Sequence, residues 1–294
     1  MKIAAVIITY NPDISVLIDN VNTISNQVES VLIVDNNSHN IHDVVRILPK
    51  ETEVYFESEN VGIAKATNDG IIFLKLREFD WVITLDQDSV VPKNYVKNLI
   101  NDEDLKNVGM IAPIIFNNSD AAGESNHQYD KLPANLVNKK YIYNDMYQEA
   151  LHVIASGALI NIEIWHAVGK MDEYLFIDRV DYDFNMKLLI NNYLILQKNV
   201  MLNHKLGSPI QKDIFSKKLY SLNHSAFRKY YIFRNSIIMA KRYGNRSQEF
   251  KKLFKHLVCI VLIEDNKTKK MISAFKGTFD GILYGILNTR MNTK

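Results

Sequence analysis

Four short apolar runs lie within the first 85 residues, each followed by a polar turn, and this alternation restricts the fold more than any other feature. Residues 2–8, Lys-Ile-Ala-Ala-Val-Ile-Ile, are nearly all apolar, as a strand covered on both faces must be. Asn11-Pro12-Asp13 ends that run and opens a helix pattern with Ile14, Leu17, Ile18, Val21 and Ile24 on one face. Val31-Leu32-Ile33-Val34 is the second run and stops at Asp35-Asn36-Asn37-Ser38. Val54-Tyr55-Phe56 is the third; Asn60-Val61-Gly62 then leads into a helix pattern of Ile63, Thr67, Ile71 and Leu74. Residues 81–85 are the fourth run. This β-α-β-α-β-α-β order predicts an α/β protein with a doubly wound, mostly parallel sheet.

In such sheets ligands gather beyond the carboxyl ends of the strands. Thr9-Tyr10-Asn11, Asp35 and Asp86-Gln87-Asp88 all fall at such ends, which predicts one shared site. Asp86 and Asp88 repel each other unless a cation or hydrogen-bond donors lie with them. Carboxylate oxygens suit Mg²⁺ or Mn²⁺, with phosphate oxygens completing the shell. The alternative is a solvated turn, since Asp and Ser are common turn formers. No G-x-G-x-x-G follows the first strand and no G-x-x-x-x-G-K-[ST] occurs anywhere, which sets aside dehydrogenases and P-loop proteins. A nucleotide here depends on the metal and on scattered donors to offset its charge.

The second half is less regular. Val108–Ala112 reads as a fifth strand that stops at Pro113. Residues 117–150 read as a hairpin or long loops over the site. Leu151–Ala155 is expected to resume the sheet and Ser156–Ile160 to cross it. Gly157 either lets backbone approach a ligand or marks a bulge. Asp181 and Asp183 fall in the first turn of a helix patterned by Phe184, Leu188 and Leu189. A carboxylate there either caps free N–H groups or stands as a base beside a polar substrate group. His204, after a strand-like 194–202, is either structural or a ligand. Tyr230, Tyr231 and Arg234 share one helix face and suit a clamp for a diphosphate or sugar, or else form a half-buried stripe on a solvated basic helix.

Two further helix patterns close the sequence. One carries Phe250, Leu253, Phe254, Leu257 and Val261; the other carries Ile272, Phe275, Phe279, Ile282, Leu283 and Ile286. They either pack on the sheet domain or insert shallowly at a bilayer surface. The formal charge of +2 conceals a division: residues 205–294 hold 19 Lys and Arg against 5 Asp and Glu, and the rest holds 16 against 28. That contrast fits an acidic, metal-carrying part joined to a basic part that faces a polyanion or an anionic membrane. Nucleic acid is not expected, because no zinc-finger spacing or similar signature accompanies the charge. The single cysteine, Cys259, excludes a disulfide within the chain and a Cys-based metal site. Met1-Lys2-Ile3 leads straight into a strand pattern, and no run of 18 apolar residues exists; neither a signal peptide nor a membrane span is expected.

Several segments, taken in order, resemble the inverting GT-A glycosyltransferases of family 2, in their rhamnosyltransferase-like branch. They are Val6-Ile7-Ile8-Thr9-Tyr10-Asn11, Val34-Asp35-Asn36-Asn37-Ser38 and Asn60-x-Gly62-x-Ala64-x-Ala66-x-Asn68-x-Gly70. Leu85-Asp86-Gln87-Asp88-Ser89, Gly169-Lys170-Met171-Asp172-Glu173 and Val180-Asp181-Tyr182-Asp183 follow, and the likeness covers roughly residues 3–240. It implies a GT-A catalytic domain over 1–210, with a nucleotide-sugar half 1–115 and an acceptor half 116–210, and a basic helical extension over 211–294. It further implies that Thr9, Tyr10 and Asp35 hold base and ribose, with Asn11, Asn60, Gly62, Lys65, Gln87 and Arg234 also around the nucleotide sugar. Asp86 and Asp88 would serve the metal–diphosphate, Asp88 more directly, and His204 is a further metal candidate. Asp181 matches the aspartate of the family's Glu-Asp-x-Asp motif, the general base. Val180 departs from the motif's glutamate, and Asp178 stands two residues earlier in its place.

The same likeness assigns Gly157, Asp178, Asp183, His204, Tyr230 and Tyr231 to the acceptor or to the surroundings of the site. The features His204-x-x-Gly207 and Tyr230-Tyr231-x-x-Arg234-Asn235 favour a dTDP-linked deoxysugar, dTDP-rhamnose, over a UDP-hexose. The implied acceptor is a saccharide or lipid-linked saccharide in cell-surface polysaccharide synthesis. The basic balance of the C-terminal region and its two amphipathic helices place the chain, as an expectation, in the cytoplasm and peripheral at the inner face of the membrane, with homo-oligomers as another use of the apolar faces. One base and no second nucleophile give inversion, unlike the paired carboxylates of a glycosidase. The rivals are a noncatalytic sugar-nucleotide-binding or scaffold protein and a nucleotidyltransferase. The latter would carry a Gly-rich loop where Asn11-Pro12-Asp13 stands.

Overall fold

The computed structural model describes residues 1–100, 105–116, 141–143, 146–148, 152–203, 210–214 and 217–285. They fall into two compact units, Met1–Phe176 with Val180–Lys205, and Ile177–Arg179 with Leu206–Lys294.

The first unit is built on the predicted alternation. Strands β1 (Ile3–Thr9), β2 (Ser30–Asp35), β3 (Glu53–Phe56) and β4 (Trp81–Asp86) pair in parallel in the order β3-β2-β1-β4. Helices α1 (Ile14–Ser25), α2 (Ile41–Ile47) and α3 (Gly62–Lys75) make the crossovers. Asp13 caps α1, its carboxylate accepting from the Ser15 and Val16 amides, which satisfies N–H groups the first turn leaves open. Strand β1 is buried from Ala4 to Thr9, consistent with its unbroken apolar run. Helix α3 presents Ala64, Ala66, Thr67, Asn68 and Gly70 to the interior. A Cβ on Gly70 would lie 2.9 Å from Val6 and 3.0 Å from Val34, so this run of small residues lets α3 sit close on β1 and β2.

Beyond β4 and a short helix α4 (Tyr95–Ile100), the sheet continues as β5 (Val108–Phe116), β6 (Tyr141–Tyr143), β7 (Met146–Gln148), β8 (Leu159–Asn161) and β9 (Leu194–Asn203). The full order is β3-β2-β1-β4-β8-β5-β9-β6-β7, with β8 antiparallel to both β4 and β5. Strand β5 does not stop at Pro113. The register shifts between Ala112 and Ile114, which takes the proline out of the ladder, and Gln197 Nε2 donates to the Pro113 carbonyl at 3.2 Å. Of the strand expected at 151–155 the described residues form none: residues 152–158 run irregularly, and Leu159–Asn161 pairs in the sheet. The β6–β7 hairpin lies within the stretch read as hairpin or loops. Asn161 caps α5 (Ile162–Ala167), a 3-10 turn covers Glu173–Leu175, and α6 (Val180–Ile190) follows.

The second unit opens with an antiparallel hairpin, β10 (Ile210–Ile214) and β11 (Lys217–Ser221), which the sequence reading did not foresee. Three helices follow: α7 (Ala226–Tyr243), α8 (Arg246–Leu262) and α9 (Lys267–Leu283). Ser225 caps α7 at its start, and Gly244, with φ +75°, closes it. Ile232, Phe233, Ile237, Leu253, Ile260 and Ala274 form the core. Beside that core Glu264 is buried between Lys229 (2.7 Å) and Lys270 (3.2 Å). Among the described residues no helix is long and apolar enough to cross a membrane.

Candidate active site

Register alone sets the first part of the site. Thr9 is opposite Asp35, and Ile8 is opposite Asp86, so the ends of β2, β1 and β4 line one edge. Neighbouring strands are about 4.8 Å apart, which puts Asp35 and Asp86 roughly 10 Å from each other along that edge. The Thr9 hydroxyl donates to Asp35 Oδ1 (3.0 Å), and the Ser38 amide donates to Oδ2 (2.8 Å). Both side chains are buried. The Tyr10 amide donates to Gln87 Oε1 (2.8 Å), tying the loop after β1 to the Asp86-Gln87-Asp88 turn. Asn11, at φ +49°, donates its amide to Ser38 Oγ and accepts from the His39 amide. Tyr10 itself is 47% exposed, a free aromatic face at this edge.

The third strand end adds a second group of polar residues. Asn60 Oδ1 accepts from the Gly62 amide, and Asn36 Oδ1 from the Val61 amide. Gly62 has φ +84°, and a Cβ there would stand 2.6 Å from the Phe176 ring; the Phe176 carbonyl accepts from the Ile63 amide at 2.8 Å. Phe176 therefore anchors the start of the segment toward Asp181 at this same edge. Lys65 is held by Asp69 at 2.5 Å, and that hydrogen bond raises its pKa. Glu57, directly after β3, was missed by sequence reasoning. Burial, with Asp69 close by, pushes its carboxyl up to about 7. Its amide donates to the Asp35 carbonyl (2.9 Å), so it belongs to this edge, but no motif or spacing marks it in the sequence.

Asp86, Gln87 and Asp88 are partly exposed. Ser89 Oγ lies 3.0 Å from Ser156 Oγ, and the Asp86 amide points at Ser156 Oγ (3.4 Å). Thr84 Oγ1 donates to the Ala155 carbonyl (2.6 Å), and the Gly157 amide donates to Thr84 O (2.7 Å). The irregular segment 152–158 is thus fastened along the end of β4. Gly157 has φ +78°, and a Cβ on it would strike Leu202 at 2.3 Å and the Tyr95 hydroxyl at 2.6 Å. Close protein packing fully accounts for that glycine.

The same segment carries His152 to Asp181. Their closest approach is 3.3 Å, Nε2 to Oδ1, and both are partly buried. Asn185, one turn along α6, fixes the pair: it accepts from the Val153 amide, donates to the Val153 carbonyl and donates to the Asp181 carbonyl. Asp181 Oδ1 also accepts from the Tyr182 amide at 2.9 Å. His152 and Ser156 lie four residues apart on this one segment, a span of at most about 14 Å between their Cα atoms. His152 is the second residue that sequence reasoning missed; an irregular backbone gives it no periodicity to read. Asp183 is fully buried and pairs with Lys187 at 3.2 Å.

Other expected residues lie in the second unit. Arg228 holds Asp178 with three hydrogen bonds of 3.0 to 3.3 Å. Asp178 and Arg179 both have positive φ, and Asn235 Nδ2 donates to the carbonyls of Ile177 and Asp178. Tyr230 donates its hydroxyl to Asp280 (2.7 Å). The guanidinium of the buried Arg234 lies 4.7 Å from the Tyr231 ring centre, and its Nε donates to Asn235 Oδ1. His204 lies outside the described residues.

Among the described residues no three His, Cys, Asp or Glu side chains gather into a metal cage. Two carboxylates at a strand end fit a hard cation whose shell is completed by substrate phosphate and water. A concavity of about 720 Å³ bordered by Met1, Asp80 and Trp81 lies where β1 and β4 begin, at the edge away from these residues.

The fold is thus an α/β protein with a mostly parallel sheet, whose strand ends carry a buried Thr–Asp pair and an Asp-x-Asp turn, with Asp181 on a later helix. Residues 4–169 match the profile of glycosyl transferase family 2, and the chain belongs to that family. Among its relatives is the dTDP-rhamnosyl transferase RfbF of Shigella flexneri, 28% identical over 96% of this chain and 95% of the relative. Solved structures share the fold. S. aureus TarS superposes with a TM-score of 0.56 at 14% identity, over 96% of this chain and 49% of TarS. GalNAc-T7 with UDP, GalNAc and Mn²⁺ gives 0.56 at 12% identity, over 98% of this chain and 57% of that one. The chain thus spans about half the length of these two structural relatives. The expected GT-A fold and family 2 membership both hold.

Proposed function

We propose that this enzyme transfers L-rhamnose from dTDP-rhamnose, with inversion, to a hydroxyl of a saccharide or lipid-linked saccharide during cell-surface polysaccharide synthesis. The observation that carries the reading is the 152–158 segment, which contacts the Asp86 turn through Ser156 and Asp181 through His152. It brings a diphosphate-binding turn and a candidate base to one donor edge. The likeness to RfbF along nearly the whole chain favours rhamnose. UDP-hexose is the second reading, since TarS has been solved with UDP-GlcNAc.

In this mechanism Thr9, Tyr10 and Asp35 receive the nucleoside, with Asn11, Asn60 and Gly62 shaping the loops around it. Asp86 and Asp88 would hold Mg²⁺ or Mn²⁺, which would supply charge neutralisation for the leaving diphosphate. Asp181 takes the proton of the acceptor hydroxyl as its oxygen attacks the anomeric carbon. The bond from that carbon to the diphosphate breaks, and the electron pair leaves with dTDP. His152, 3.3 Å from Asp181, helps to position that carboxylate. Asp183, paired with Lys187 inside α6, has a structural task, as has Asp178 beneath Arg228. Lys65 must leave Asp69 before it can reach a phosphate. We place the reaction at the cytoplasmic face of a membrane, where a lipid-linked acceptor is presented.

The test is an incubation with dTDP-rhamnose, UDP-glucose and UDP-GlcNAc, with and without Mg²⁺, scored for nucleoside diphosphate release. Metal-dependent release from dTDP-rhamnose alone is expected. Faster release from a UDP-hexose would overturn the donor, and no release from any of the three, with or without acceptor extract, would favour a noncatalytic sugar-nucleotide-binding protein.

A further inference from the structure

Helix α9 is packed the wrong way round for an ordinary surface helix. Such a helix normally turns its large apolar residues inward and its small and polar ones outward. Here the inward face is Ala274, Gly277 and Gly281, with Lys270. A Cβ on Gly277 would lie 2.2 Å from the Tyr230 carbonyl, and one on Gly281 2.7 Å from the Arg234 carbonyl, so α9 lies backbone-close against α7. The outward face is Ile272, Phe275, Phe279 and Ile282, spaced i, i+3, i+7, i+10. Phe275 is 63% and Phe279 61% exposed. Helix α8, which also packs on α7, exposes Phe250 and Phe254 in the same manner. Isolated exposed apolar residues need no explanation, but a continuous stripe of them does.

Charge decides what covers the stripe. The four acidic residues between 246 and 285 are all engaged. Glu249 is buried with Arg179, and Glu264 is buried between two lysines. Asp265 is tied to Lys270, and Asp280 accepts from Tyr230. Lys251, Lys255 and Lys269 instead face solvent beside the exposed aromatics. Two copies of this face would bring cations against cations. An anionic lipid surface satisfies both features at once, with aromatic side chains in the acyl boundary and lysines at the headgroups.

We infer that the exposed face of α8 and α9 is a docking surface for an anionic bilayer, entered by Phe275 and Phe279 and held by Lys251, Lys255 and Lys269. It deepens the membrane placement proposed above. Its test needs no transferase activity, so its failure and that of the donor assignment are distinguishable.

The experiment is co-sedimentation of the full chain with vesicles of phosphatidylcholine alone or mixed with phosphatidylglycerol, at low and high salt, alongside sedimentation velocity without lipid. Binding to the anionic vesicles only, weakened by salt, is expected. Phe275→Ser with Phe279→Ser should lower the partition coefficient about tenfold or more, with the melting temperature unchanged because both side chains are already exposed. Reversing the three lysines to Glu should abolish the preference for anionic lipid while leaving the same melting temperature. Absence of vesicle binding, or binding indifferent to both variants, overturns the inference. A dimer in solution that the double Phe variant dissociates, without lipid binding, would assign the face to a second copy of the chain.

Discussion

If Asp181 is the base of the proposed mechanism, its exchange for Asn separates catalysis from stability. Asp181 Oδ1 accepts from the Tyr182 amide and faces His152, and the Asn side chain keeps an acceptor oxygen at that position. The contact with His152 is partly exposed, so its alteration has little effect on stability. The proton-accepting function is lost altogether at neutral pH. Removing a general base forfeits about 10²–10⁴ in rate, equivalent to roughly 2.7–5.4 kcal/mol in the barrier of the chemical step. Asp183→Asn is the opposite case. Its carboxylate is fully buried and faces Lys187, while Lys187 keeps a hydrogen bond to the Lys170 carbonyl. The cost there is about 1–3 kcal/mol of stability, or several degrees of melting temperature for a chain of this size at roughly 2–4 °C per kcal/mol. The assay is single-turnover sugar transfer with dTDP affinity and melting temperature measured on each variant. Asp181→Asn should stop transfer with dTDP still bound and melting little changed. Asp183→Asn should melt earlier yet turn over when folded. Near-normal transfer by Asp181→Asn, with collapse in Asp183→Asn or Asp178→Asn, would refute the assignment of the base.

Three other outcomes are expected. Mg²⁺ or Mn²⁺ should strengthen dTDP binding to the wild type, as read by calorimetry, and Asp88→Ala should lose that dependence; equal dependence in both proteins would contradict the metal role. Gly62→Ala should destabilise by at least about 1–2 kcal/mol, because the position is left-handed and the new methyl meets Phe176; thermal denaturation checks this, and an unchanged midpoint would refute it. Burial lowers the pKa of His224 to about 4 and that of His256 to about 3. Both are therefore neutral in the fold, and their stabilising effect is complete above the unfolded value of about 6.5 and lost as pH falls toward 4. Melting of the second unit should drop over that window, and His256→Gln should flatten the dependence; a pH-independent midpoint between 7 and 4 would refute this.

The first half of the fold was legible because each of its elements carries its own signal. Strand β1 is apolar at every position from Ile3 to Ile8, and Asp13 caps α1 where Pro12-Asp13 indicates. The elements misread are those whose structure depends on distant partners. Pro113 stays within β5 only because a register shift and Gln197 relieve it. Val153 and Ile154 look like strand residues, but Asn185 hydrogen-bonds both backbone groups of Val153, removing them from any ladder. That tertiary choice also brings His152 to Asp181, a proximity that no periodicity in the sequence marks. Hairpin β10–β11 has little apolar alternation, Ile210-Gln211-Lys212-Asp213-Ile214, and so offers weak evidence of itself.

Helix α9 marks the boundary between what periodicity contains and what it omits. The spacing of Ile272, Phe275, Phe279 and Ile282 identifies a helix with one apolar face, and the helix is there. Spacing does not say which face meets protein. Ordinary burial of a Phe contributes roughly 1.5–3 kcal/mol, so the default points these side chains inward. The default fails because Gly277 and Gly281 admit the α7 backbone at distances where any side chain would clash, and because Lys270 must reach Glu264 and Asp265 on that same inner side. Turning the phenylalanines inward would separate α9 from α7 by a side-chain layer and strand the Glu264 carboxylate with one cation fewer. The two glycines and the buried lysine therefore determine the outward direction of the aromatic stripe.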